Sequence, residues 1–257
     1  MCELLGMSAN VPTDIVFSFT GLMQRGGGTG PHRDGWGIGF YEGRGLRLFQ
    51  DPLASVDSEV AKLVRRYPIK SETVIGHIRH ANVGRVGLAN THPFVRELWG
   101  RNWCFAHNGQ LADFAPPPRF YRPVGETDSE AAFCDLLNRV RSAFPEPVPV
   151  DVLLPVLVAA CGEYRDKGVF NCLLSNGDWL FTFCSTKLAQ ITRRAPFGPA
   201  HLKDADLTVD FQAETTPDDV VTVIATEPLT ANETWQRHGP GDWTLWRRGE
   251  CLAKGRV

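Results

Sequence analysis

The feature of the sequence that most limits its fold is a series of short strand-like segments that do not alternate regularly with helices. The segments are rich in β-branched and aromatic residues and are bounded by Gly, Asn, Asp or Ser, which is typical of strands that end in turns. They are ELLGM, GWGIGFYE, LRLFQ, TVIGHIR, NWCFAHN, VFNCLLS, WLFTFCS, LAQITRR and VVTVIAT. Because this order differs from a βαβ pattern, it predicts an α+β fold with mainly antiparallel sheets.

Helical periodicity occurs where apolar residues recur every three or four positions. The stripes run over residues 15–23, 60–67, 133–144 and 152–160. Thr127 and Glu130 precede the third stripe with the spacing of a capping box. The fourth contains Pro155, which a helix tolerates only near its first turn, so we expect that helix to begin close to the proline.

Composition and net charge limit the classes of function that the chain can have. With 257 residues, 43% of them hydrophobic, residues 1–257 are expected to form a single domain. The net charge is −2 and no basic stripe is visible, which argues against nucleic-acid binding. The apolar stretch VDVLLPVLVAA is too short to span a bilayer, and no signal peptide is recognisable. Seven scattered cysteines without a C-x-x-C pair indicate buried free thiols in a reducing, cytoplasmic setting.

The chain opens MCELLGM, with a cysteine directly behind the initiator methionine. One interpretation of Cys2 is a buried structural thiol, since the run is apolar and strand-like. The other is chemical. A small second residue permits methionine removal, which leaves an α-amine with a pKa of roughly 7.7–8.0 beside the thiol. Such a nucleophile carries its own general base, and no catalytic histidine is required.

Three later segments carry polar residues that have both a structural and a chemical interpretation. In AHNGQL, Asn-Gly indicates a hairpin turn, and the same turn could aim the Asn108 amide and the Gly109 N–H at one oxyanion. In ETDSEAAF, Asp128 either favours a helix N-terminus or binds an ammonium group. In GHIRHANVG, Arg79 is either a surface residue or a bidentate partner for a carboxylate.

Metal and nucleotide sites are not favoured. The H-x-x-H spacing of His77 and His80, with Cys104 and His107 further on, does not fit a closed zinc set. The Gly-rich segment 24–37 lacks the Gly-Lys-Ser/Thr ending of a phosphate-binding loop. We therefore expect neither a metal nor a cofactor. A thiol with an amine base, oxyanion donors, an arginine and an aspartate together complement a γ-glutamyl amide.

The order of these residues resembles the glutaminase domain of class-II glutamine amidotransferases, which are N-terminal-nucleophile hydrolases. The motifs that carry the resemblance are Cys at position 2, R-G followed by D-G-W-G, I-R-x-A-N, N-T-H-P-F, H-N-G-x-L and T-D-S-E. The resemblance covers essentially the whole chain. It implies a four-layer αββα sandwich, in which helices cover two antiparallel sheets.

The resemblance also implies a role for individual residues. Cys2 matches the nucleophile. Arg79 matches the arginine that holds the substrate carboxylate, and Asp128 matches the acceptor for the substrate ammonium. Asn108 and Gly109 match the oxyanion hole.

Two segments depart from the family pattern. Many relatives have R-W-A-T-H-G where this chain has R-H-A-N-V-G, so that His80 replaces an aromatic residue and Asn82 and Val83 replace Thr-His. Asn82 can still hydrogen-bond near the substrate carboxylate, whereas Val83 cannot, so the leaving-group side is expected to differ. The Gly-rich loop is longer than the usual H-R-G-P-D segment, which leaves open whether Arg25 or Arg33 takes the place of the family's arginine.

The implied activity is cleavage of the γ-amide of glutamine, or of a related γ-glutamyl compound, through a thioester on Cys2. The expected partner is the small-molecule substrate. Ammonia would pass to a separate synthase, because no synthase motif is recognised in the chain, or water would simply accept the acyl group. A second hypothesis is a non-catalytic or partner-activated subunit that senses glutamine. Retention of Met1 would favour it, since the amine would then be misplaced.

Overall fold

The computed structural model describes residues 2–82 and 84–257, except for the side chains of Ala213 and Glu214. Met1 and Val83, on which two sequence-based expectations rest, lie outside the described residues. The strands are β1 (Glu3–Asp14), β2 (Trp36–Glu42), β3 (Gly45–Asp51), β4 (Lys70–Ile78), β5 (Phe94–Leu98), β6 (Arg101–Leu111), β7 (Gly168–Ser175), β8 (Leu180–Phe183), β9 (Ala189–Arg194), β10 (Pro199–His201), β11 (Thr208–Asp210), β12 (Val220–Ala225), β13 (Gln236–Arg237), β14 (Asp242–Arg247) and β15 (Glu250–Arg256). The α-helices are α1 (Val16–Arg25), α2 (Glu59–Arg66), α3 (Asp128–Ala143) and α4 (Val150–Arg165).

The first sheet has the strand order β13-β9-β12-β1-β4-β2-β3, and its neighbours pair antiparallel. β1 lies at the centre of the sheet, where Glu3 is opposite Ile78 of β4 and Leu5 is opposite Ala225 of β12. This register places Cys2, just before β1, beside the end of β4, where Arg79 follows.

The second sheet has the order β15-β14-β8-β7-β6-β5 and is also antiparallel. β6 pairs with β7 along most of its length, with Asn108 opposite Asn171 and Gly109 opposite Phe170. β10 and β11 form a separate two-stranded ribbon.

The two sheets pack face to face, and helices cover their outer faces. Leu4, Ile75 and Leu173 are fully buried between the sheets, and full burial of such a side chain contributes roughly 1.5–3 kcal/mol. Apolar residues of α1 and α2 join the core on the outer face of the first sheet, and those of α3 and α4 join the core on the second. The four-layer αββα sandwich, its antiparallel sheets, the nine strand segments and the four helices are thus as predicted.

The fourth helix begins earlier than the sequence predicts. α4 begins at Val150, so Pro155 lies in its second turn rather than near its start. The proline leaves the carbonyl of Asp151 without its intrahelical donor. Because Pro155 lies on an exposed face of α4, this carbonyl can bond to water instead.

The sequence pattern does not predict the C-terminal hairpin of β14 and β15. Its turn residues Arg248 and Gly249 have φ angles of 52° and 78°, which is the backbone of a type I′ turn. Such turns usually carry Asn or Asp followed by Gly. Because an arginine occupies the first turn position here, the sequence pattern does not indicate a turn.

Candidate active site

One end of the sandwich has a small cavity of about 30 Å³ beside the start of β1, here called the Cys2 cavity. Five of the six predicted site residues line it: Cys2, Arg79, Asn82, Gly109 and Asp128. They come from four separate segments, which the pairing of β1 with β4 and the packing of β6 and α3 bring together. The remaining lining residues include His80, His92, His107, Thr127 and Ser129.

Cys2 is buried, and its sulfur lies against the backbone that follows β4. The His80 N–H donates to Sγ over 3.3 Å, and Sγ lies 3.5 Å from the His80 carbonyl oxygen. Burial raises the pKa of the Cys2 thiol, and the His80 N–H opposes this only in part. The thiol is therefore protonated at neutral pH, and a nearby base is required to form the nucleophilic thiolate.

Arg79 is only 3% exposed, so its interpretation as a surface residue is wrong. Its guanidinium donates to the carbonyl oxygens of Gly84 at 3.3 Å and Arg85 at 3.2 Å. Burial lowers its pKa, while Cys2 and Asp34 oppose the shift. An arginine remains charged even so. The carbonyl contacts fix this cation at the wall of the Cys2 cavity, with Asn82 exposed at the rim.

Asp128 is the first residue of α3, where the cap leaves its side chain available. The Thr127 hydroxyl oxygen accepts from the Glu130 N–H at 3.2 Å, as the capping spacing predicts. The half-buried carboxylate of Asp128 accepts from the Leu111 N–H at 2.6 Å. A carboxylate has about four acceptor positions, so capacity remains for a cation in the Cys2 cavity.

The second half of the predicted capping box does not form. Instead of returning to Thr127, the Glu130 carboxylate accepts from the N–H groups of Val124 at 3.0 Å and Gly125 at 2.7 Å and pairs with Arg96. The Glu130 side chain is buried, and a buried carboxylate is favoured where a cation and backbone donors surround it. Glu130 therefore fixes the loop before α3 rather than the helix cap.

The prediction of a turn at Asn108 and Gly109 is wrong, because β6 continues through both residues to Leu111. Glycine is needed here for a steric reason. A Cβ on Gly109 would lie 1.8 Å from the Val169 carbonyl oxygen and 2.6 Å from His107 Nε2. The close approach of β7 and the His107 ring, rather than a turn, explains this glycine.

Asn108 reaches from the second sheet to the first, behind the Cys2 cavity. Its Nδ2 donates to the Thr226 hydroxyl oxygen at 3.2 Å, and the same oxygen accepts from the Leu4 N–H at 2.9 Å. Asn108 is fully buried. Its Oδ1 has no hydrogen-bond partner among the described residues. The Asn108–Thr226–Leu4 chain therefore ties a predicted oxyanion residue to the strand that carries Cys2.

Arg25 and Arg33, the two candidates for the place of the family's arginine, have different surroundings. The buried Arg25 donates to Glu3, the residue after Cys2, at 2.9 Å and to Asp204 at 2.8 Å. Arg33 is more than half exposed and pairs with Asp57. Of the two, Arg25 reaches the start of β1.

The rim beside Cys2 is built from polar rings where relatives have an aromatic residue. The His80 ring meets the His32 ring edge-on, with 5.6 Å between centroids. His80 Nδ1 lies 3.7 Å from Asp34 Oδ2, which accepts from the Ala81 N–H at 2.7 Å. His80 of the R-H-A-N-V-G segment thus gives this rim a polar character.

Comparison with known proteins decides the family. A family model described as class-II glutamine amidotransferases matches residues 1–257. The chain belongs to the class-II glutamine amidotransferases. It is 61% identical to YafJ of Escherichia coli strain K12 over 252 residues, covering 97% of this chain and 99% of YafJ. A Haemophilus influenzae relative is 45% identical, over 99% of this chain and 87% of that protein.

Solved structures agree with the sequence relatives. The 2.0 Å crystal structure of a predicted glutamine amidotransferase from Pseudomonas aeruginosa superposes with a TM-score of 0.81 at 78% identity, over 98% of this chain and 100% of that one. Glutamine phosphoribosylpyrophosphate amidotransferase from Bacillus subtilis matches with a TM-score of 0.64 at 14% identity, over 99% of this chain and 49% of that one. The second match shows the fold alone, which is that of the N-terminal-nucleophile hydrolases.

The sequence pattern assigns no catalytic or substrate-binding role to three residues that the structure places at the site. Thr226 ends the predicted strand VVTVIAT, and His92 and His107 lie inside the family motifs N-T-H-P-F and H-N-G-x-L. The two motifs could have indicated that these histidines lie at the site, whereas no local sequence pattern distinguishes Thr226.

No three His, Cys, Asp or Glu side chains within residues 2–82 and 84–257 are arranged to hold a metal ion. In the same part of the chain, no helix combines the length and the apolar character needed to cross a membrane. The seven cysteines are free thiols, and six of them are buried.

Proposed function

We propose that this family member is an amidohydrolase that cleaves the γ-amide bond of glutamine or of a related γ-glutamyl compound. The observation that carries the proposal is the meeting of Cys2, Arg79 and Asp128 on one cavity. The α-amino acid end of such a substrate presents a carboxylate and an ammonium. These complement the arginine and the aspartate, and the γ-carbonyl is left for the thiol.

The proposed acylation begins once Met1 has been removed. The Cys2 amine takes the thiol proton, directly or through one water, and the thiolate adds to the γ-carbonyl. Asn108 and Gly109 stabilise the oxyanion, and the amine returns the proton to the leaving nitrogen. Water then hydrolyses the γ-glutamyl thioester. Losing one oxyanion donor typically costs on the order of 10²–10³ in rate.

The contacts of Asn108 support its place in this mechanism. Thr226 Oγ1 already accepts from the Leu4 N–H, so its own hydroxyl proton is available to donate. A half turn of the Asn108 amide lets Thr226 donate to Oδ1 and puts Nδ2 where the unpaired oxygen lies. Asn108 would then offer a preorganised donor, which is what an oxyanion requires.

The proposal includes the setting of the enzyme. Residues 1–257 would form one glutaminase domain, and ammonia would pass to a separate synthase or be released when water accepts the acyl group. Free, mostly buried thiols support a reducing, cytoplasmic location. The polar rim of His80 and Asp34 can hydrogen-bond a leaving group larger than ammonia.

Met-free protein is expected to release glutamate from γ-glutamyl substrates without a partner protein. The test offers glutamine, glutathione and a γ-glutamyl anilide, and measures glutamate release. Faster release from glutathione or the anilide than from glutamine would identify a peptidase-like hydrolase. Strong hydrolysis of glutamine alone would identify an ammonia-supplying enzyme. Glutamine binding without any release would contradict the proposal and favour the sensing subunit.

Arg79→Ala and Asp128→Asn are each expected to weaken glutamate or glutamine binding on the order of 10- to 100-fold. A charge-assisted hydrogen bond contributes roughly 1.5–3 kcal/mol, and each variant removes one. Calorimetry measures the change in affinity. Arg33→Ala removes an exposed, paired arginine away from the cavity lining and is the matched control. Unchanged affinity in Asp128→Asn would leave Asp128 a helix-start residue only.

A further inference from the structure

Three buried histidines lie close to the Cys2 cavity, and the proposed mechanism uses none of them. His77, His92 and His107 are each at most 3% exposed. The rings of His77 and His92 are 4.1 Å apart between centroids, and His92 lies 4.4 Å from the ring of Phe94. Burial lowers the pKa of all three imidazoles, so they are neutral near pH 7.

Two of these histidines have hydrogen-bond partners that explain their position. His77 Nε2 lies 3.1 Å from the His107 carbonyl oxygen. His107 Nδ1 lies 2.8 Å from the Ser129 hydroxyl, and its Nε2 lies 3.1 Å from the Val169 carbonyl oxygen. Both imidazoles therefore help to hold β4, β6, β7 and α3 in register.

His92 differs from the other two. Neither of its ring nitrogens has a hydrogen-bond partner within residues 2–82 and 84–257. An unpaired buried polar group is unfavourable, so a packing role alone would favour an apolar ring, such as the Phe94 ring against it. His92 also lines the Cys2 cavity. An imidazole at this place can hydrogen-bond a molecule that enters the cavity.

We propose that His92 positions the water molecule that hydrolyses the γ-glutamyl thioester on Cys2. This inference rests on the proposed function. A neutral imidazole offers one donor and one acceptor, so it can orient a water without binding a charged group of the substrate. The lining of the Cys2 cavity is polar, so a water held by His92 would have further hydrogen-bond partners there. Arg79 and Asp128 meanwhile hold the amino acid end of the acyl group.

The step balances without another reactant. The water oxygen adds to the thioester carbonyl carbon as the Cys2 amine takes a proton from the water. The carbon–sulfur bond then breaks, the sulfur receives that proton, and glutamate leaves with a new carboxyl group. His92 neither gains nor loses a proton overall. It holds the oxygen of the water in line with the carbonyl carbon.

The test separates acylation from deacylation in Met-free protein with a γ-glutamyl anilide. In His92→Phe, deacylation is expected to slow on the order of 10- to 100-fold, while acylation changes less than about threefold. A burst of aniline should precede slow turnover, and intact mass should show a glutamyl-enzyme that the wild type does not accumulate. His92→Gln keeps a donor and an acceptor and should restore most of the rate. His201→Phe, outside the cavity, should match the wild type.

Several outcomes would overturn the inference. If His92→Phe slows acylation and deacylation equally, or slows neither step, His92 has a structural role only. If the variant changes KM alone, His92 is a substrate contact. If His92→Phe fails to fold, His92→Leu, which also lacks a ring nitrogen, takes its place, with hydroxylamine as a competing nucleophile that measures how slowly water attacks the thioester. A high-resolution crystal structure should show an ordered water bonded to His92, and its absence would reject the inference. No acyl-enzyme and no turnover in the wild type would reject the proposed function itself.

Discussion

Replacing Cys2 by alanine is expected to lower turnover of every γ-glutamyl substrate by on the order of 10⁴-fold or more, because the nucleophile is lost. Alanine is also a small second residue, so Met1 removal and the free amine should be kept. Among the described residues the thiol hydrogen-bonds only the His80 backbone, and Arg79 and Asp128 are unchanged. The rate of glutamate release should therefore fall by that factor, while the affinity for glutamate measured by calorimetry stays close to that of the wild type.

Two comparisons make the result specific to an N-terminal cysteine. A glutamine-analogue diazo-ketone should label Cys2 alone, and Cys251→Ser, which removes the exposed thiol, should leave the labelling unchanged. An uncleaved N-terminal extension keeps the thiol but displaces the amine, and should cost on the order of 10²–10⁴ in rate. Labelling of Cys251 instead of Cys2 would show that Cys2 is not the nucleophile. Full activity with the extension in place would show that the amine of Cys2 is not the base.

The second large effect concerns acid stability. The free energy of unfolding is expected to fall steeply as pH drops below about 6.5, the ordinary pKa of histidine. Burial lowers the pKa of His77 to about 3 and lowers those of His92 and His107. The unfolded chain therefore binds protons that the folded chain does not, which favours unfolding. Each such histidine contributes roughly 1.4 kcal/mol per pH unit until its folded pKa is reached.

The charged groups near these three histidines modify this effect in known directions. Arg79 lowers the pKa of His77 and His92 further, whereas Asp128 raises that of His107. Denaturant titrations between pH 7 and about pH 4 measure the slope. His92→Phe should reduce the slope by the amount that corresponds to about one bound proton. An identical slope in wild type and His92→Phe would contradict a neutral, buried His92.

Much of the fold could be predicted because its signals are local. The stripe of Phe133, Leu137 and Val140 predicts α3 by spacing alone, and the Thr127 cap sets its start. Prediction fails where a residue breaks a statistical preference for a tertiary reason. Arg248 adopts a conformation usually left to Asn or Asp, and Asn108-Gly109 continues a strand because β7 packs against it.

The site is less predictable for a physical reason. Cys2, Arg79, Gly109 and Asp128 are far apart in the chain, and only strand register brings them to one cavity. No local pattern specifies that register, so their grouping followed from their chemical complementarity to a γ-glutamyl amide and from the family resemblance, and not from geometry. Thr226 acts through its contacts with Asn108 and Leu4, which are visible only in three dimensions.

The register of β1 also has a consequence for protein synthesis. β1 pairs with β12, so that Leu5 meets Ala225, more than two hundred residues further along. At roughly 5–20 residues per second, a ribosome needs on the order of 10–40 s to reach β12. During that interval the start of the chain lacks one of its two neighbouring strands and the Thr226 contact behind Cys2. The topology thus leaves the segment that begins at Cys2 incompletely covered on the nascent chain until β12 has been made.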